Sequence, residues 1–241
     1  MSPFLGELLG TMMLVLFGDG VVANVVLSKT KGQNSGWIVI TSGWAFAVVV
    51  GVFTAIAFGS PGAHLNPAVT VFFATVSGDW SNAGTLIAGQ FVGAFIGAVL
   101  VYLAYLLHWK ETENPALKLA TFCTAPAVRS TGANLVTEII GTFALVVGVA
   151  AIFSKGVSPT GPVAALGPYL VGVLVWGIGL SLGGPTGYAI NPARDLGPRI
   201  AHAVLPIPGK GDSDWGYSWI PVVGPIVGAV LGALLVKPLL G

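Results

Sequence analysis

The triplet Asn66-Pro67-Ala68 returns as Asn191-Pro192-Ala193. Asparagine accepts hydrogen bonds from the open N–H groups of a helix's first turn, and proline suits the first helical position because its missing N–H would be unpaired there anyway. Each triplet therefore predicts a helix start that carries partial positive charge and a donor amide, a pair of groups able to hold the oxygen of a neutral molecule. Two acidic motifs repeat as well: Glu7-x-x-Gly10-Thr11 and Glu138-x-x-Gly141-Thr142. Both glutamates lie in apolar runs, where an ionisable side chain is expensive and turns toward the protein interior. They are either proton carriers or acceptors for loop N–H groups. Asp19 has no repeat partner, and its role stays open. His64 reads as a residue that orients its loop, whereas His108 and His202 have no ligand partner in the sequence around them. Gly179-Leu180-Ser181-Leu182-Gly183 fits the G-x-S-x-G pattern of serine hydrolases, which requires a strand–turn–helix setting and a histidine–acid pair. Here the pattern ends an apolar run, so the expectation is no enzyme, no metal and no cofactor.

The elements that must position these groups are membrane spans. Hydrophobic residues make up 54% of the 241 and charged ones 8%, against about a quarter charged in soluble domains. Ten basic and nine acidic residues, net +1, exclude a nucleic-acid partner. The single cysteine, Cys123, excludes an intrachain disulfide. Met1-Ser2-Pro3-Phe4 lacks the basic region of a signal peptide, so the first apolar run reads as a retained span. Six runs approach the roughly 20 residues that a bilayer requires: 4–27, 37–58, 83–107, 135–153, 166–182 (the shortest) and 219–239. Segments 29–36 and 108–133 read as connecting loops. Segments 66–76 and 191–205, which follow the two triplets, are apolar but too short to cross.

The two acidic motifs lie 131 residues apart, as do Gly93-x-x-x-Gly97 and Gly224-x-x-x-Gly228, while the triplets lie 125 apart. The repeats are set at about 3–109 and 134–240 within one channel domain spanning 1–241. Each holds three spans and a half-span, and an odd number of spans forces the second copy to enter from the opposite face. The fold class is therefore an all-α membrane protein of six transmembrane helices and two half-helices in an inverted repeat. The glycine rows are expected at the joint between the halves, where backbones must approach closely. A broken helix survives at membrane depth only against protein or a water-filled cavity, so the half-helices are expected to meet at one pore. A secondary carrier would share inverted repeats and broken helices, but carriers add ion-coordinating groups at the midplane, where this sequence offers amides.

Gly62-Ala63-His64-Leu65-Asn66-Pro67-Ala68-Val69-Thr70 and Thr186-Gly187-Tyr188-Ala189-Ile190-Asn191-Pro192-Ala193-Arg194-Asp195 resemble the paired signature of the aquaporins, nearly end to end. Asp195, Arg199, Pro221 and Val222 resemble the aquaglyceroporin, or glycerol facilitator, branch. Water-selective members carry small residues at the first two positions and aromatics at the last two. The resemblance implies a selectivity filter of Trp44, Gly179, Tyr188 and Arg194. In it the arginine fork donates to adjacent hydroxyls, Trp44 faces the carbon chain, Gly179 leaves space and Tyr188 adds a hydroxyl. It also implies pore-facing carbonyls at Ala63, His64, Gly187, Tyr188 and Ala189, and makes Glu7 and Glu138 structural acceptors. The implied function is a passive channel for small uncharged solutes: glycerol with water, extended here to dihydroxyacetone and undissociated lactic acid. A water-selective aquaporin is the alternative. The implied partners are membrane lipid and identical subunits in a homotetramer, in a bacterial plasma membrane with cytoplasmic termini. Loop charge leans the other way. That orientation puts Lys29, Lys31, Lys110, Lys118, Arg129 and Lys210 outside, against Lys155 and Lys237 inside, and basic residues favour the cytoplasmic side.

Overall fold

A computed structural model describes residues 1–162 and 166–240. Ten helices occupy them: α1 Pro3–Val26, α2 Trp37–Ala57, α3 Pro67–Ser77, α4 Ala83–Ala104, α5 His108–Glu111, α6 Pro115–Phe122, α7 Thr131–Ile152, α8 Leu166–Leu182, α9 Pro192–Val204 and α10 Ile220–Leu240. Helices α1, α2, α4, α7 and α10 are each long and apolar enough to cross a bilayer, and α8 is the sixth apolar span. Helices α3 and α9 have 11 and 13 residues. At 1.5 Å per residue they reach about 17 and 20 Å, little more than half of a ~30 Å hydrocarbon core. The six spans and two half-helices form the expected inverted-repeat architecture.

Glycine sets the closest approaches. A Cβ on Gly93 of α4 would lie 2.2 Å from the Leu8 carbonyl oxygen of α1. A Cβ on Gly228 of α10 would lie 2.4 Å from the Ile139 carbonyl oxygen of α7. Leu8 and Ile139 lie 131 residues apart, as the acidic motifs do, but Gly93 and Gly228 lie 135 apart, so the structure sets the glycine row of α10 one helical turn away from the sequence pairing of Gly93 with Gly224. The glycine rows therefore clamp the first and third spans within each half, not the halves to each other, which corrects the expectation from sequence. The halves join elsewhere. Helix α3 packs on α10 and α9 packs on α4, so each half-helix rests on the last span of the other repeat. Helix α2 meets α8, where a Cβ on Gly172 would lie 2.8 Å from the Ala45 carbonyl oxygen.

Segment 108–133 is more than a connection. It contains α5 and α6, and buries Trp109 and Phe122 in a stacked pair 5.4 Å apart, within an apolar cluster that includes Ala193 and Ala201 of α9. Helix α6 starts at a third Asn-Pro-Ala triplet, Asn114-Pro115-Ala116, whose Asn114 side chain accepts from the Ala116 N–H on the protein surface. Cys123 ends that helix and is buried. Burial pushes its thiol well above the usual range.

Candidate functional site

Each half-helix is built from its acidic motif outward. Glu7 of α1 accepts four hydrogen bonds: from Ser60 Oγ (2.6 Å), the His64 N–H (2.8 Å), the Leu65 N–H (2.7 Å) and Gln90 Nε2 (2.8 Å). Glu138 of α7 accepts three, from Thr186 Oγ1 (2.7 Å) and the N–H groups of Ala189 (3.0 Å) and Ile190 (2.8 Å). The fourth donor is missing for a simple reason. Gly89 faces Phe4 and Glu7 as Gly224 faces Leu135 and Glu138, so the counterpart of Gln90 is Pro225, which has no side-chain donor. The glycine three residues after each glutamate lies on the same helix face. A Cβ on Gly10 would meet the Leu65 side chain at 2.6 Å, and one on Gly141 would meet Ile190 at 3.0 Å. The Glu-x-x-Gly motif thus holds a residue's N–H with its carboxylate and clears room for the same residue's side chain.

That grip is needed because the loops are strained. Ala63 (φ 41°) and Leu65 (φ 54°) lie in the left-handed region, and so do Tyr188 (φ 39°) and Ile190 (φ 43°), 125 residues on. Each such non-glycine residue costs about 1–2 kcal/mol, while a hydrogen bond to a buried charge contributes about 1.5–3 kcal/mol. The alternating conformation leaves the carbonyls of Ala63, His64, Gly187, Tyr188 and Ala189 without a protein donor among the described residues. Of these residues Ala63, His64, Tyr188 and Ala189 belong to the cavity lining described below, where a carbonyl without a donor requires a partner.

The triplets sit at the end of each loop. Asn66 Oδ1 accepts from the Ala68 N–H (2.9 Å), and Asn191 Oδ1 accepts from the N–H groups of Ala193 (3.0 Å) and Arg194 (3.1 Å). Each amide then reaches into the other half. Asn66 Nδ2 donates to the Ile190 carbonyl (2.7 Å) and Asn191 Nδ2 to the Leu65 carbonyl (2.8 Å). An amide has two N–H groups, so one remains on each asparagine. Pro67, Ala68, Pro192 and Ala193 are buried first-turn residues behind them.

These groups share a cavity of about 410 Å³, lined by Trp44, Ala63, His64, Asn66, Tyr188, Ala189, Asn191 and Arg194. Its apolar wall comes from the spans: Trp44, Val48, Val52 and Ile56 form one stripe of α2, about 18 Å long at 1.5 Å per residue. Leu145 and Val149 of α7 and Val171 and Val175 of α8 extend it. His64 stacks on Phe73 (5.0 Å), and its Nδ1 lies 3.1 Å from Thr70 Oγ1.

Arg194 projects from the first turn of α9. Its guanidinium lies 4.2 Å over the Trp44 ring and makes no hydrogen bond to protein among the described residues. Nη1 is 3.8 Å from Asp19 Oδ1. Asp19 therefore has a place, as the acidic neighbour of Arg194, which its sequence context did not reveal. The available signal was chemical: a lone carboxylate inside a span needs a cation.

Gly179 and Gly187 lie behind the cavity wall rather than in it. A Cβ on Gly179 would be 2.8 Å from Tyr188 Cζ and 2.9 Å from its hydroxyl. The space that glycine leaves is filled by the Tyr188 ring, not held open for a solute. That ring also meets Trp37 edge-on at 5.9 Å, and Trp37 Nε1 donates to the Gly179 carbonyl (3.0 Å). The Tyr188 hydroxyl is buried there without a partner, so it does not add a donor to the lining as expected. Gly179 and Gly183 are one turn apart at the end of α8, so the G-x-S-x-G pattern there has no strand-to-helix turn.

Asp195, Arg199, Pro221 and Val222 do not line the cavity. Asp195 and Arg199, both fully buried, form an ion pair one turn apart (2.8 Å). Asp195 Oδ2 accepts from the Thr124 N–H and hydroxyl, and Arg199 donates to the carbonyls of Thr124, Ser213 and Asp214. The pair staples two loops to α9. His202 Nδ1 lies 2.9 Å from Ser213 Oγ, and His108 Nδ1 lies 3.0 Å from the Ser28 carbonyl oxygen.

Two half-helices that enter a six-span bundle from opposite ends and cap one lined passage define an integral membrane protein with a pore-type site. Residues 1–236 match the family described as Major intrinsic protein, and the chain belongs to that family. It is 61% identical to a probable glycerol uptake facilitator protein of Thermotoga maritima, over 93% of this chain and 94% of the relative. It is 53% identical to the glycerol uptake facilitator protein of Bacillus subtilis, over 93% of this chain and 80% of the relative. A D/L-lactic acid transporter of Lactiplantibacillus plantarum is 39% identical, over 90% of this chain and 88% of the relative. The solved aquaglyceroporin of Plasmodium falciparum superposes with a TM-score of 0.85 at 28% identity, covering 98% of this chain and 95% of the other.

Proposed function

We propose that the protein is a passive channel for glycerol and water, with Trp44, Gly179, Tyr188 and Arg194 as its filter and one repeat at 3–109, the other at 134–240. The observation that carries this reading is the polarity of the cavity. Its free donors and acceptors are the Arg194 fork, one N–H on each of Asn66 and Asn191, and loop carbonyls, all beside an apolar wall. A polyol can exchange hydrogen bonds along such a row while its carbon chain slides on the wall, held too weakly to stop. Arg194 donates to adjacent hydroxyls in a fixed fork and Trp44 presents a flat apolar face. In this reading Gly179 acts through Tyr188, by letting its ring withdraw. Glu7 and Glu138 act as loop anchors, not proton carriers, because every one of their contacts is a hydrogen-bond donor. The relatives named for glycerol support the solute class. Dihydroxyacetone and undissociated lactic acid are neutral three-carbon hydroxylated molecules close to glycerol in size, and the relative named for lactic acid supports that extension.

We also propose cytoplasmic termini, a bacterial plasma membrane and a homotetramer. Ion pairing weakens the adverse charge count. Lys29 pairs with Glu111, holding that carboxyl below the usual range, and Arg129 pairs with Asp214. Lys118 donates to the Pro208 carbonyl and Lys210 to the His202 and Ala203 carbonyls in the last turn of α9. Lys31, Lys110, Lys118 and Lys210 have no counter-ion among the described residues, four against Lys155 and Lys237 on the other face. Stopped-flow light scattering of proteoliposomes, water against glycerol, tests the function. Glycerol flux linear in concentration is expected. Water flux without glycerol flux would make the pore water-selective, and saturable, ion-coupled flux would make it a carrier.

A further inference from the structure

Asp19 is fully buried in α1, and neither of its carboxylate oxygens accepts a hydrogen bond among the described residues. A carboxylate in that state keeps its charge only against a nearby cation. The ion pair that Asp19 forms is with Arg194 Nη1, at 3.8 Å, and that nitrogen is itself buried without a hydrogen-bond partner. The two residues are brought together by local geometry. A Cβ on Gly18 would fall 2.2 Å from the Trp44 ring, so the missing side chain seats Trp44 against α1 while Asp19, the next residue, reaches Arg194. Trp44 then covers the guanidinium at 4.2 Å. The second arginine of α9 is balanced separately, because Arg199 is held by Asp195 at 2.8 Å. Asp19 is left as the counter-charge of Arg194 alone.

We infer that Asp19 is a specificity-determining residue: it cancels the charge of Arg194 and fixes its guanidinium against Trp44, so that the constriction presents directed donors without a net positive field. The inference rests on the reading of Arg194 as part of the filter. A bare arginine in a low-dielectric passage would gather small anions, and a bare aspartate would gather cations. With both present, a neutral hydroxylated solute meets the donors and an ion meets little attraction to offset the loss of its hydration.

The test is a charge cycle in proteoliposomes with the parent, Asp19→Asn, Arg194→Ala and the double variant. Glycerol flux and ion selectivity are measured on the same preparations, at alkaline pH so that a water-contacted carboxyl released from Arg194 stays ionised. Arg194→Ala should leak monovalent cations, and adding Asp19→Asn should cut that leak about tenfold or more, the scale on which one-signed clefts concentrate counter-ions. Asp19→Asn alone should shift the residual ion leak toward small anions such as formate, and formate should then inhibit glycerol flux. Equal cation leak in the single and double arginine variants, or an unchanged anion preference in Asp19→Asn, would overturn the inference. So would an Asp19→Asn protein that cannot be recovered monodisperse, since that outcome assigns the residue to stability. A parent that passes no glycerol would refute the proposed function separately, with the ion comparison still readable.

Discussion

Replacing Gly179 by alanine tests whether the Tyr188 ring sets the width of the passage. The added Cβ would sit 2.8 Å from Tyr188 Cζ, 2.9 Å from its hydroxyl and 3.0 Å from Thr41 Cγ2. Carbon atoms rest at about 3.5–4.0 Å, so the ring must retreat by roughly 1 Å. Gly183 and Trp37 close its flank, and the cavity is the open side. Overpacking of this kind costs about 1–3 kcal/mol. If glycerol meets that cost at the constriction, its permeability falls about 5- to 160-fold, at 1.36 kcal/mol per factor of ten. Water, which needs less width, should lose much less. Stopped-flow light scattering under glycerol and sucrose gradients reads both rates from one preparation. Histidine at the same position should act more strongly by the same route, through displacement of Tyr188. Tyr188→Phe in the alanine background should restore part of the loss, because it removes the hydroxyl contact and leaves the Cζ contact. Equal losses of water and glycerol flux, or no loss of either, would refute the reasoning.

Glu138→Gln places an amide donor against groups that are all donors, and should lower the unfolding midpoint in detergent. Glu7→Gln should lower it further, because four donors are affected instead of three, at about 1.5–3 kcal/mol for each bond to charge; an unchanged midpoint in either would remove the anchoring role. A cysteine at Val128, which is 77% exposed, should react with an impermeant thiol reagent on intact cells while buried Cys123 stays silent. Reaction after permeabilisation alone would reverse the proposed orientation. Uptake of labelled lactic acid into vesicles should rise as pH falls and follow the neutral fraction, because the anion must shed its hydration to enter. Protein-dependent flux that follows the anion would exclude this solute in the form proposed.

The parts of this molecule readable in the sequence are those fixed by local rules and by repetition. Length and hydropathy mark the spans, Asn-Pro marks the half-helix starts, and the constant offsets pair Glu7 with Glu138. What stayed hidden depends on contacts between distant segments. Asp19 and Arg194 are 175 residues apart and share no motif. Gly179 looked like vacant space because nothing local shows that Tyr188 fills it. The glycine rows announced close approach without naming the partner helix. A polar, proline-containing stretch reads as loop, which hides helices α5 and α6, although Asn114-Pro115 carries the same start signal as the two pore triplets. The triplet is a helix start, and its position in the fold decides whether it faces a passage or solvent.

The crossed amide bonds bear on how the chain is made. Leu65 waits for an asparagine synthesised 126 residues later, and α3 waits for α10 to support it. When the first repeat leaves the ribosome, its half-helix has the Glu7 anchor and the flank of α4, but the Leu65 carbonyl is open and the α10 bed is missing, and hydrocarbon supplies neither. The segment must therefore lodge at the membrane surface or in the translocation machinery until the second repeat arrives, and the interior assembles late and in one step. Neither repeat alone is half a pore. Two separately expressed halves would find each other and complete both loops together, or yield no passage at all.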